Sequence, residues 1–350
     1  MRRFATHPHA KEIIAHGDIM IEKIHDDVFR IHIPLPNSPL KLLNAYCVKG
    51  DKRNLLIDTG FNRPECRDAL LGGLNELEVR TESLDILVTH RHADHSGLAP
   101  DLMTHPETRA FADPEEADAL NKFTRGESYW GQGLRERMAH GFSEEEVEAL
   151  KTGHPGIRYV GSREIDFIPV QDGAELVYGR RKLRVIRTPG HTPGHLTLYE
   201  PSLKLYFSGD HILGDITPNI TNWTGVNDSL GDYLKSLEAV RSLDVALVLP
   251  GHRSLFPDME KRIQELKKHH AVRLDEVRRI LKQESATGYA VASRMTWSLR
   301  NIVWKDFPIG QKFFATGEAL SHLDRLLAVG EAVREKKDGL VYYSLTQPDT

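Results

Sequence analysis

Residues 87–97 read LVTHRHADHSG, and six consecutive positions hold His90, His92, Asp94 and His95. Four titratable groups at the end of an apolar run either bind something or repel one another. His90 and His92 are two apart, so in extended backbone both face the same side. Asp94 and His95 follow on a turn, where they can point past that first position to a second one. His191, Asp210 and His252 supply three more donors later in the chain. Imidazole and carboxylate donors suit zinc, iron or manganese, and thiolates are absent from the set. Six such ligands plus a bridging carboxylate exceed what one tetrahedral ion uses; two ions about 3.5–4 Å apart would use them all. In a chain with 18 histidines a single one deserves no comment, but four donors packed into six positions do.

Each donor sits where a short β-rich run ends. NLLIDTG ends on Asp58, LDILVTH on His90, KLRVIRTPGH runs into His191, KLYFSGD into Asp210 and VALVLPGH into His252. Such runs predict buried strands bounded by turn residues, and strands lying side by side bring their ends to one edge. A rigid sheet with chemistry on its end loops is a common way to build a site.

Between the His90 and His191 motifs, residues 112–154 predict a helical insertion. ADPEEADAL offers Asp113 as N-cap, Pro114 at the first helical position and Glu116 three residues after the cap. FSEEEVEAL repeats the signal with Ser143 and Glu146, and the aromatics of SYWGQG (128–133) suit a cap over a substrate. Past Pro257 the pattern changes. Ile263, Leu266, His270, Leu274, Val277 and Leu281 step by three or four, one face of a long helix. FFATGEALSHLDRLLAVG predicts a second amphipathic helix closed by Gly330. EAVREKKDGLVYYSL alternates, breaks at Asp338-Gly339 and alternates again, the signal of a β-hairpin. Helices followed by a hairpin resemble a winged-helix unit, so residues 1–257 and 258–350 are read as two domains.

The 350 residues are 40% hydrophobic and 27% charged, an ordinary globular balance. No apolar run approaches the roughly 18 residues of a membrane span, and the first residues lack the apolar core of a secretory signal. Cys47 and Cys66 are the only cysteines, which fits a reducing cytoplasm. The net charge of −4 offers no general attraction to nucleic acid, although it is unevenly spread. From residue 261 there are 16 Lys+Arg against 11 Asp+Glu, leaving 30 against 39 before it. No glycine-rich stretch forms a phosphate-binding loop followed by Lys-Ser or Lys-Thr.

Taken in order, these motifs resemble those of the metallo-β-lactamase superfamily over about residues 20–255. The resemblance implies an α/β fold, an αββα sandwich with the metals at one edge. His90, His92 and His191 would then hold one divalent ion. Asp94, His95 and His252 would hold a second, and Asp210 would bridge them. Asp58 would orient the loop or a ligand imidazole, and Asp94 would double as a proton relay. His191 rather than His195 matches the ligand position. His195 is then a packed or supporting residue, His211 a structural one, and His140, His154, His269 and His322 ordinary. Zinc heads the list of metals, with iron and manganese next. A flavodiiron redox role is not expected, since those relatives carry Glu where this chain has His92.

The C-terminal part is similar to the branch with an appended winged-helix domain, which includes glyoxalase II-like hydrolases and a metal-dependent endoribonuclease. A metal lowers the pKa of bound water to about 7, so hydroxide is available at neutral pH to attack an ester, thioester, lactone or phosphodiester. The leading expectation is a hydrolase that uses a dinuclear-metal-bound hydroxide on a small-molecule ester, thioester or lactone. Next comes an endoribonuclease acting on single-stranded RNA. Against it, TGEALSHLDRLLAVG offers only Arg325 beside Glu318 and Asp324, and the basic REKKDG is a single hairpin tip. A third reading, from another class, is a winged-helix DNA-binding protein with a structural metal. The C-terminal domain is expected to serve a homodimer, and no membrane partner is expected.

Overall fold

The computed structural model describes residues 12–16, 19–125, 133, 136–153, 158–298 and 302–346. Tyr129 and Trp130 of the proposed cap, and His154, lie outside them. The first sheet runs in spatial order through eight strands: β1 (Glu12–His16), β2 (Ile19–His25), β3 (Val28–Pro34), β4 (Leu42–Val48), β5 (Asn54–Ile57), β6 (Leu84–Leu87), β7 (Arg109–Ala112) and β8 (Ile168–Pro169). Neighbours are antiparallel from β1 to β5 and parallel from β5 to β8. The second sheet contains β9 (Glu175–Tyr178), β10 (Arg181–Arg187), β11 (Leu196–Glu200), β12 (Leu205–Gly209) and β13 (Leu247–Pro250), in reverse spatial order.

Period-two alternation decides which residues meet. On β4, Tyr46 and Val48 point into the space between the sheets, where they join Leu183, Leu198, Phe207 and Leu249. Leu43, Ala45 and Cys47 point the other way. There they meet Leu70 and Leu74 of α1 (Pro64–Glu76), which covers the outer face of the first sheet. Two short helices, α2 (Ala93–Ser96) and α3 (Ala99–Leu102), follow β6. The outer face of the second sheet, with Tyr206 and Val248, is covered by α6 (Ser229–Val240) and the start of α7 (Met259–Leu281). Each fully buried Leu, Val or Phe in these layers contributes roughly 1.5–3 kcal/mol. The result is a mixed α/β sandwich with helices on both outer faces.

The excursion between β7 and β8 spans residues 113–167 and carries α4 (Pro114–Thr124) and α5 (Glu144–Gly153). At α5 the expected reciprocal cap forms: Ser143 N donates to Glu146 Oε2 (3.2 Å) and Glu146 N to Ser143 Oγ (3.1 Å). At α4 it does not. Asp113 accepts from Glu115 N (2.9 Å), but the Glu116 carboxylate is drawn instead to a buried arginine described below. Charge pairing inside the protein outweighs a surface cap.

Beyond α7 come α8 (Gly288–Arg294), α9 (Ile309–Ala328) and the hairpin β14 (Ala332–Lys337) to β15 (Leu340–Leu345), with Asp338 and Gly339 at positive φ in its turn. Helix α7 is shared. Met259, Ile263 and Leu266 belong to the outer layer of the sandwich, whereas Val277, Ile280 and Leu281 join a separate C-terminal core with Leu320, Leu323 and Tyr343. The apolar faces of α7 and α9 are therefore covered within this chain. Among the described residues no helix is long and apolar enough to cross a membrane.

Candidate metal centre

The ends of β5, β6, β12 and β13, with the loop after β10, meet at one edge of the sandwich. His92 is the extended residue before α2, and the single turn of α2 carries Asp94 and His95 past it. Asp210 follows Gly209 and His252 follows Gly251, both glycines for a steric reason. A Cβ on Gly209 would lie 2.8 Å from His195 Nε2, and one on Gly251 would lie 2.8 Å from His95 Cε1 and 2.9 Å from Asp210 Oδ1. Gly209 also has φ of +48°, a conformation side chains disfavour.

Three overlapping groups of donor atoms are drawn together among the described residues: His90, His92 and His191; His90, His95 and Asp210; Asp94, His95 and His252. In the first, His92 Nδ1 lies 3.0 Å from both His90 Nε2 and His191 Nε2. In the last, His252 Nε2 lies 3.2 Å from His95 Nε2 and 3.4 Å from Asp94 Oδ2. Asp210 stands between the groups, with Oδ2 3.6 Å from His191 Nε2 and Oδ1 3.5 and 3.6 Å from His95 and His252 Nε2. Ligands on one tetrahedral ion with bonds of 2.0–2.1 Å sit about 3.4 Å apart, so these spacings suit shared cations.

In His90, His95, His191 and His252 the second ring nitrogen is engaged elsewhere. His191 Nδ1 donates to Asn219 O and His252 Nδ1 to Leu42 O, both at 2.8 Å. His95 Nδ1 donates to Asp58 Oδ2 at 2.7 Å. His90 Nδ1 lies 3.0 Å from Thr89 Oγ1, which in turn donates to Asp58. These contacts fix ring orientation and leave the other nitrogen facing the cluster. Asp58 thus contacts the His95 imidazole directly and the His90 imidazole through Thr89. His195 is buried beside the cluster and accepts from Asp210 N through Nε2 at 3.1 Å. His211 lies next to Tyr206 OH at 2.9 Å, and burial depresses its pKa to about 3.

Charge argues for cations here. Asp58, Asp94 and Asp210 share this buried pocket, and among the described residues their ionic partners are histidines, not Lys or Arg. Burial opposes charging His95, yet Asp58, Asp210 and Asp94 carry it up to about 10. Burial also works against the Asp94 carboxylate, but His95 and His252 hold it below the ordinary range. Asp210 Oδ1 is buried with no hydrogen-bond donor. A buried carboxylate oxygen without a donor is costly unless a cation meets it, so the donor set fits divalent metal ions.

Two residues escaped the sequence reading. Arg91, between the first two histidines, is buried and donates to Glu116 from N (2.7 Å), Nε (2.8 Å) and Nη2 (2.8 Å). Glu116 also accepts from Gly194 N at 2.7 Å, so one carboxylate ties the 90–92 loop to the loop carrying His191. Trp223 completes the tie. Its Nε1 donates to His191 O (3.0 Å), and its ring lies 5.2 Å from the Arg91 guanidinium and 6.1 Å from the His92 ring.

The cluster opens into a cavity of about 640 Å3 bordered by His92, Asp94, His191 and Asp210. Its walls include Phe61, Phe123, Leu213, Ile216, Trp223 and Phe313. Both the insertion and the first turns of α9 contribute, so the C-terminal unit helps form the chamber over the cluster.

The sequence profile of the metallo-beta-lactamase superfamily matches residues 41–252. The chain belongs to that superfamily. Among its relatives, the probable metallo-hydrolase YqjP of Bacillus subtilis is 25% identical over 331 residues, 92% of this chain and 98% of its own length. The beta-lactamase-like protein 2 homolog of Caenorhabditis elegans is 28% identical, covering 80% of this chain and 81% of that protein. An atrochrysone carboxyl ACP thioesterase of Aspergillus fumigatus is 25% identical over 71% of this chain, but the match spans 46% of that protein. A metallo-beta-lactamase family protein of Thermus thermophilus superposes with a TM-score of 0.79 at 27% identity, covering 93% of this chain and 100% of that one. Members of the superfamily are mostly hydrolases and the fold implies divalent metal ions, for which the His/Asp groups offer donors.

Proposed function

We propose that this chain is a metal-dependent hydrolase of a small-molecule ester, thioester or lactone, with two metal positions sharing Asp210. The observation that carries the reading is the largely apolar chamber opening directly on His92, Asp94, His191 and Asp210. His90, His92 and His191 would hold one ion; Asp94, His95 and His252 would hold the other. Bound there, divalent ions would supply hydroxide at neutral pH and positive charge for a developing oxyanion. The chain's own residues do the rest. Asn219 O, Leu42 O, Asp58 and Thr89 hold the imidazoles in register. The apolar walls exclude bulk water, and Trp223 braces the His92 ring. Asp94 borders the cavity, and beyond its place among the metal-binding groups it would relay a proton to the leaving group through Oδ1, the oxygen not turned toward His252.

The thioesterase among the relatives supports thioesters within the substrate class. The nucleic-acid readings gain less support. Residues Ala315–Leu323 of α9 other than Glu318 are buried and Phe313 lines the cavity, so the helix that a winged-helix reader would lay in a groove is largely enclosed by its own chain. The test is turnover of thioesters, aryl esters, lactones and labelled single-stranded RNA by the metal-loaded protein. Chelator-sensitive cleavage of an ester, thioester or lactone is expected. Cleavage of RNA alone would reject the reading.

A further inference from the structure

Arg137 stands out among the cavity-lining residues. It follows the insertion's first helix, is only 7% exposed, and lines the same chamber as the His/Asp cluster. Its Nη1 donates to Asn222 Oδ1 (2.8 Å), and Nη2 makes a long contact with Thr221 Oγ1 (3.4 Å). The Phe313 ring lies 4.8 Å from its Cζ. A guanidinium has five N–H donors, and these two contacts leave most of them unused. Among the described residues no carboxylate pairs with it, whereas Arg91 in the same chamber is neutralised by Glu116. The nearby Glu136 accepts a hydrogen bond from Thr224 Oγ1 at 2.7 Å. Burial lowers the pKa of Arg137 to about 10 against the pull of Glu136 and Asp324, which lie near it without forming an ion pair with it, so the charge persists at neutral pH.

The surroundings make this cation a fixed feature. Thr221 and Asn222 belong to the segment that also supplies Asn219 O to His191 and Trp223 Nε1 to the His191 carbonyl. Helix α9 clamps the segment from behind: Ser321 Oγ donates to Ile220 O (2.7 Å), and Asn222 N donates to Gly317 O (3.3 Å). The chamber therefore has a metal-binding edge at the His/Asp cluster, apolar walls, and one desolvated cation held by the loop that braces the cluster. Phe313 offsets part of the desolvation of that cation but offers it no oxygen.

We propose that Arg137 receives the anionic end of the substrate, so that the preferred substrate is an ester or thioester whose acyl chain ends in a carboxylate. This rests on the hydrolase reading above and narrows it. A carboxylate gains charge-assisted, fork-to-fork hydrogen bonds from a guanidinium already stripped of water. Apolar walls alone discriminate chain lengths weakly, whereas a buried charge left unpaired penalises a neutral analogue strongly.

The test compares two N-acetylcysteamine thioesters on the metal-loaded full chain: octanoyl, which is neutral, and suberoyl, which carries a distal carboxylate. Succinyl, adipoyl and sebacoyl homologues extend the series. The wild type is expected to favour a carboxylate-ended substrate over its neutral counterpart by roughly 10–100-fold, chiefly through KM, with an optimum at one chain length. Arg137→Gln should abolish that ratio, and Arg137→Lys, which keeps the charge and loses the fork, should leave it intermediate. Calorimetric binding of the corresponding non-hydrolysable amides should show the same preference without turnover. If no thioester is cleaved but the carboxylate-ended amide binds preferentially, the hydrolase reading fails and the role of Arg137 stands. A wild type that shows no preference in either measurement, or a preference that survives Arg137→Gln, overturns the proposal.

Discussion

Asp210 turns one carboxylate oxygen toward His95 and His252 and the other toward His191, and its neighbours are arranged to keep it there. His195 accepts from its backbone N–H, and Gly209 and Gly251 leave room on either side. The donors themselves were legible in the sequence, because His and Asp crowd into one hexapeptide and recur singly where strands end. Their supports were not. Backbone carbonyls such as Asn219 O and Leu42 O have no residue-type signature, and Glu116 occupied a position that a helix cap already accounted for. Glu116 yields a prediction at this scale. Replacing it with Ala strands the buried Arg91 guanidinium, and breaking such a pair by removing one partner costs about 3–5 kcal/mol. Urea unfolding should show that loss; a change within about 0.5 kcal/mol, typical of surface sites, would mean the pair bears no weight.

Helix α9 is the element whose role the sequence conveyed least. Its periodicity announced a buried face, but periodicity does not say what covers that face. The answer is the C-terminal core of α7, α8 and the hairpin on one side, and the 220–222 segment and the chamber on the other. Gly317 marks the closest approach, since a Cβ there would collide with Thr221 Oγ1. Gly317→Ala should therefore push α9 off the segment, destabilising the protein by about 1–3 kcal/mol as overpacking does. It should also raise KM more than it lowers kcat. Unchanged stability and kinetics would show that the contact is slack.

The same helix carries Asp324, partly buried near Arg334 and Arg137. Desolvation outweighs the pull of those two arginines, and with Asp228 adding repulsion its carboxyl is pushed up to about 7. Between pH 4 and 7 the folded chain keeps a proton that the unfolded chain has released. The stability of the fold thus falls as pH rises through that window. Asp324→Asn removes the penalty, so the variant should gain on wild type steadily from pH 4 to 8, by up to about 4 kcal/mol. A stability difference that does not vary with pH would contradict this assignment.

Across the whole molecule, the five strand-end motifs predicted the edge at which the donors gather, while the sandwich was what the family resemblance implied. The continuous buried runs of β4, β5, β6, β12 and β13, apolar on both faces, left little freedom in how the layers stack. The boundary after Pro257 was less informative. Composition and charge change there, yet α7 runs through both cores and α9 returns to wall the cavity. Two units with separate cores thus combine over one site. The C-terminal unit is in place to shape what enters, while the sandwich edge positions the metal-binding groups. The proposed hydrolysis depends on a metal pair sharing Asp210. The most direct test is the metal-to-protein ratio of purified, reconstituted wild type and Asp210→Ala, measured by elemental analysis beside a thermal melt that confirms folding. The account predicts two ions per wild-type chain and fewer in the folded variant. One ion in the wild type, or an undiminished pair in Asp210→Ala, would contradict it.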